Sequence, residues 1–158
     1  MQDAILVKEA GRVSISQKLG LAKQEIEAIA VLGFQLYEQG KVAHAESIFN
    51  GLIALDSQVY YGYAGLGALA LAGEKLDEAS RWLIRAAELN PQDPTVHANL
   101  GEALLRQAKF DEAAEAFQKA LTLDPAGRDP GANRARAILS GMRMLLRESG
   151  RAKDASSQ

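Results

Sequence analysis

The chain contains no cysteine, which removes disulfides, thiolate metal ligands and cysteine nucleophiles together. Proline is scarce, four in 158 residues, so helices meet few interruptions. Aromatic residues make up only 6%, while alanine recurs from Ala22 to Ala137. Alanine loses no side-chain entropy on entering a helix, so this bias favours helices over strands. An excess of positive charge is also missing. Eighteen Lys and Arg stand against twenty Asp and Glu, for a net charge of −2. Such a chain has no basic field to neutralise phosphates and release counterions, which argues against nucleic acid as a partner. The apolar run near the start, Ala4 to Val7, is short and flanked by Asp3, Lys8 and Glu9. It suits neither a signal peptide nor a membrane span, and the expected location is cytoplasmic.

Residues that could carry catalysis are equally thin. His44 and His97 have no neighbours at metal-ligand spacing, so neither a metal nor another cofactor is expected. Ser14 and Ser16 lack the context of a nucleophile elbow, and Gly65-Leu66-Gly67 falls inside a helical pattern where glycine serves close packing. Asp77-Glu78 and Asp111-Glu112 fall in the first turns of helices, where they complement the helix dipole. With no residue set to act on a substrate, the chain reads as a non-enzyme.

What the sequence does contain is a repeat. Hydrophobic residues make up 47% and charged residues 24%, enough for one packed domain. Gly33, Gly67 and Gly101 recur at an interval of 34, each preceded by leucine at positions 32, 66 and 100. Twelve residues after each glycine stands Ala45, Ala79 or Ala113, and four further on Phe49, Leu83 or Phe117. Leu52, Ala86 and Ala120 keep the same register, and Pro91 and Pro125 close the second and third units where Ser57 closes the first. Small residues let two antiparallel helices approach, and large ones fill the gap beside them. One such pair cannot bury its own apolar face, so the units must stack. The predicted helices span 26–39, 42–55, 60–73, 76–89, 94–107 and 110–123. Gly40 and Gly73 suit left-handed helix ends, and Asn90-Pro91-Gln92-Asp93-Pro94 reads as a stop followed by a proline-initiated start.

This pattern resembles the tetratricopeptide repeat family over roughly residues 26–125, most closely in the third unit. The resemblance implies an all-α, right-handed α-solenoid of three helix pairs at 26–59, 60–93 and 94–127. Before it lies an N-terminal segment, 1–25, that is either a helix or an extended arm. Ile5, Leu6 and Val7 there need cover from the solenoid or from a second copy, so a homodimer is a candidate assembly. After it a capping helix is predicted over 130–148, with Ala135, Ile138, Leu139, Met142, Leu145 and Leu146 on one side and Arg134, Arg136, Arg143 and Arg147 on the other. Its polar outer side would solvate the end of the stack. The basic side offers an alternative contact with a membrane or an acidic partner. A flexible polar tail is expected over 149–158.

In that family the first helices line a concave surface that holds an extended peptide. Carried over by repeat position, the lining would be Glu27, Ala30, Val31, Phe34 and Tyr37, then Tyr61, Ala64, Ala68 and Leu71, then Thr95, Ala98, Asn99, Glu102 and Leu105. The carboxylate-clamp members grip a C-terminus with a lysine and an asparagine where this chain has Ala30 and Phe34, so a clamp of that kind is not expected. A largely apolar, aromatic lining instead selects hydrophobic side chains of an extended partner. The string Ala28 to Ala45, with Phe49, Leu52, Leu55-Asp56 and Gly65-Leu66-Gly67-Ala68, more narrowly resembles the type III secretion chaperones of hydrophobic translocators. That resemblance implies a cytoplasmic chaperone holding a hydrophobic secreted translocator. The alternative is a general scaffold that joins proteins without a holding function.

Overall fold

The 34-residue interval reappears as geometry in the computed structural model, which describes residues 13–156. A short helix α1 (Ile15–Lys18) leads into six repeat helices: α2 (Lys23–Glu38), α3 (Val42–Leu55), α4 (Tyr60–Ala72), α5 (Leu76–Leu89), α6 (Pro94–Arg106) and α7 (Phe110–Leu123). They are followed by α8 (Pro130–Ser156). No strand occurs among the described residues. The spans of α3, α5 and α7 coincide with those predicted, and the first helices differ by up to three residues at their ends.

Within each pair the small residue of the first helix lies against the large residue of the second. A Cβ added at Gly33 would meet Phe49 Cε1 at 2.7 Å, one at Gly67 would meet Leu83 Cγ at 2.6 Å, and one at Gly101 would meet Phe117 Cδ1 at 2.5 Å. These distances leave no room for a methyl group. Ala45, Ala79 and Ala113 are fully buried, as are Phe49, Leu83 and Phe117. The first two units add a second close contact, because a Cβ at Gly65 would lie 2.3 Å from the Phe49 ring. Phe49 is thus enclosed by glycines of its own unit and of the next.

Helices α2, α4 and α6 touch one another in sequence, and α6 touches α8, whereas α3, α5 and α7 do not touch one another and contact only first helices, α1 and α8. The first helices therefore form the inner, closer-packed layer. A layer that is closer-packed on one side curves toward that side, so its exposed surface is the concave one.

Two expectations change. The left-handed residue of the second turn is Glu74, at φ 58°, and not Gly73, which has φ −84°. Glu74 shares its repeat position with Gly40 at φ 73° and Ala108 at φ 60°. The turn geometry is imposed by the packing of the two helices it joins, and only the first unit has glycine where that geometry requires one. The final helix also continues to Ser156, where a flexible tail was expected from residue 149. No proline follows Glu148 to stop it, and the lone Gly150 costs a helix only about 1 kcal/mol. In the segment before the repeats, Ser14 caps α1 by accepting the Gln17 N–H at 3.2 Å. Ile5, Leu6 and Val7 lie outside the described residues.

The turn into α8 is held by Asp124. Its carboxylate accepts the Arg128 and Asp129 N–H groups, each at 3.0 Å, and it pairs with Arg136. These bonds hold its carboxyl below the ordinary value of 3.8. A carboxyl depressed in the folded state contributes stability above its unfolded value, and loses it as the pH falls through the folded one. Asp124→Asn should therefore flatten the acid limb of a Tm-versus-pH curve, measured by thermal melts below pH 5.

Gly67→Ala should destabilise the fold by about 1–3 kcal/mol, since Leu83 is fully buried and must shift. Ala108→Gly should raise stability by about 0.5–1 kcal/mol by relieving a left-handed alanine. Denaturant titration of both variants, read at constant m-value, checks the opposite signs.

Candidate functional site

The first helices were predicted to line a groove, and a cavity of about 320 Å³ opens on their concave side. Its walls come from α2, α4 and α6, with Asp129 closing one end. Each wall is positioned by a hydroxyl or a ring. Tyr60 and Tyr61 begin α4 with ring centroids 4.2 Å apart. The Tyr60 hydroxyl donates to Asp93 Oδ2 at 3.1 Å, and Asp93 Oδ1 accepts the Val96 N–H at 3.2 Å, capping α6. Burial, reinforced by the Asp93 charge, pushes the Tyr60 phenol well above its ordinary range. Tyr61 donates to Glu27 Oε1 at 3.4 Å. The Phe34 ring lies 4.9 Å from Phe49 at an angle of 57°, so the core fixes its orientation.

The far wall is built the same way one unit on. The Thr95 hydroxyl donates to Asp129 Oδ2 at 2.9 Å, and Asp129 Oδ1 accepts the Ala132 N–H at 2.7 Å. A Cβ at Gly131 would fall 2.8 Å from Thr95 Cα, so α8 starts flush against α6. Ala64, Val96 and Asn99 are buried and form the floor, while the half-buried tyrosines, Phe34, Thr95 and the two aspartates form the rim.

Of the predicted lining, Phe34, Tyr61, Ala64, Thr95 and Asn99 come together around this cavity. Glu27 borders it through Tyr61. Others lie elsewhere. Ala30 and Ala98 are buried in the first and last core clusters, and Leu71 is buried against the central one. Tyr37 and Leu105 pack half-buried against the outer clusters, Val31 is 54% exposed, and Ala68 is half-buried on α4. Glu102 is held between Arg106 and Arg134. Repeat position selects a broad helix stripe, and the helix-to-helix contacts take the small residues out of it. Tyr60, Asp93, Val96 and Asp129 line the cavity without having been predicted. The recurring Asp-Pro at 93–94 and 129–130 is the sequence signal that marks both caps.

The basic face expected on α8 is partly consumed. Arg134 donates to Glu102 Oε2 at 3.1 Å and to Asn99 Oδ1, and Arg136 donates to the Asp124 backbone carbonyl and to Asn133. Ala132 and Ala135 are fully buried against the third unit. No helix among the described residues is long and apolar enough to cross a membrane.

Three antiparallel helix pairs, a glycine-to-large-residue contact in each and an inner layer of first helices define a tetratricopeptide-repeat solenoid. Two family models match, one described as tetratricopeptide repeat over residues 94–126 and one described as TPR repeat over residues 67–108. The solved structures that share the fold include type III secretion translocator chaperones and their complexes, and also an O-GlcNAc transferase of Thermobaculum terrenum. SycD of Yersinia enterocolitica, a type III secretion translocator chaperone, is 24% identical at a TM-score of 0.67, over 83% of this chain and 99% of that one. PcrH from Pseudomonas aeruginosa is 28% identical at 0.65, over 77% and 93%. PcrH in complex with the chaperone binding region of PopB is 27% identical at 0.63, over 75% and 98%. No curated protein sequence matches the chain.

Tyr60→Phe should leave Asp93 in place as the α6 cap and cost about 0.5–1.5 kcal/mol, the net worth of one hydrogen bond. Chemical denaturation of the variant beside the parent measures it.

Proposed function

We propose that this protein is a cytoplasmic chaperone of the translocator class, holding an extended apolar segment of a secreted partner across the inner face of its three helix pairs. The observation that carries the reading is the cavity walled by Phe34, Tyr60 and Tyr61 on that face. The likeness to PcrH, solved with a segment of PopB, supports it. Aromatic rings fixed from behind provide large apolar area at little entropic cost, which is what an extended chain with no fold of its own requires of its holder. Such a chaperone acts by occupancy. It covers surface that would otherwise aggregate and releases it without chemistry.

The scaffold reading keeps one specific support, since both matching family models describe the general repeat. The two differ in outcome for the partner: a chaperone keeps its partner in solution, whereas a scaffold joins partners that are already soluble.

Phe34→Ala and Tyr61→Ala should each weaken binding of the partner segment at least about tenfold, as expected when an anchor worth about 2 kcal/mol is truncated. A melt confirms that the variants remain folded, and calorimetric titration measures the affinity. Folded variants with parental affinity would move the binding surface away from the inner face.

A further inference from the structure

The cavity is lined by two carboxylates and by no cationic side chain. Asp93 and Asp129 are the charged residues of its lining, and neither joins an ion pair among the described residues. Each accepts one backbone N–H and one hydroxyl. A carboxylate has about four acceptor positions, so both retain capacity. Each also caps a helix, and the partial positive charge at a helix N-terminus, about half a unit, offsets only part of a full negative charge. The arginines of the same inner face are engaged elsewhere, Arg106 with Glu74 and Glu102, and Arg134 with Glu102 and Asn99.

The rest of the lining is apolar or aromatic. Ala64 and Val96 are buried, and Phe34 and Tyr61 are half-buried. An aliphatic side chain filling this space would strip water from two carboxylates and give them nothing in return. An acidic side chain would be repelled by them. A long basic side chain satisfies both parts of the lining, since its methylene stem lies on apolar surface while its head stays with the carboxylates. A cation beside tyrosine rings gains further attraction from their π-faces.

We propose that this cavity receives one lysine or arginine side chain of the partner's extended segment, with its stem against Phe34, Tyr61 and Val96 and its cation at Asp93 and Asp129. The assignment deepens the groove-binding reading and rests on it. The segment recognised is therefore apolar with an embedded basic residue, rather than uniformly apolar.

The test uses the full chain and two short peptides, acetylated and amidated, of alternating leucine and serine. One carries a central arginine and the other citrulline, its neutral isostere. By calorimetry the arginine peptide should bind about tenfold more tightly, the scale of a charge-assisted hydrogen bond. That preference should shrink as salt is raised. It should vanish in the double variant Asp93→Asn, Asp129→Asn, whose asparagines still cap α6 and α8 and whose melt should show a cooperatively folded chain. Equal binding of both peptides, with both weakened by Phe34→Ala, would overturn the basic-residue proposal and leave the groove reading standing. An arginine preference that survives in the folded double variant would also overturn it, by placing the cation elsewhere. Binding of neither peptide would overturn the groove reading and this proposal with it.

Discussion

The contact between a glycine on each first helix and a large side chain on each second helix sets the geometry on which everything else depends. With Phe49, Leu83 and Phe117 fully buried over Gly33, Gly67 and Gly101, each pair has one permitted separation. Close-packed interiors do not deform continuously, so repeated separations give a repeated crossing and a regular stack. Phe49 extends this control between units, because Gly65 of the next first helix closes over the same ring. The aromatic ring that orients Phe34 at the cavity is this same Phe49. Core packing and the candidate site are therefore coupled through one side chain.

A second constraint acts at the helix starts. Tyr60 reaches Asp93 at the start of α6, and Thr95 reaches Asp129 at the start of α8. In both cases a hydroxyl at the start of one inner helix bonds the capping carboxylate of the next. A cap alone would end a backbone's unmet hydrogen bonding. Here each cap also fixes the spacing of neighbouring inner helices and leaves its charge at the cavity rim. Stability and recognition are thus assigned to the same two aspartates, and the proposed preference for a basic side chain follows from that double use.

The candidate site was only partly legible in the sequence. Phe34 and Tyr61 were found because repeat position and aromatic character agree at both places. Ala30, Leu71 and Ala98 were misplaced because repeat position identifies the inner face of a helix but not the part of that face covered by the adjacent helix. Asp93 was read only as part of a turn between helices, and Asp129 was not singled out; both prove to be helix caps. Their place at the cavity depends on how far each unit is rotated against the last, and no single unit contains that rotation.

By itself the sequence determined the helical class, the 34-residue period, the ends of α3, α5 and α7, and the identity of the residues at the pair contacts. These follow from local propensity and from spacing, which are properties of neighbours along the chain. Only the tertiary structure decided which residue of each turn is left-handed, which inner-face residues remain open, and that Arg134 and Arg136 turn back onto the third unit. Those features depend on how packed helices sit against one another, within a unit at the turns and between units at the inner face, where packing selects among conformations that the local sequence allows equally.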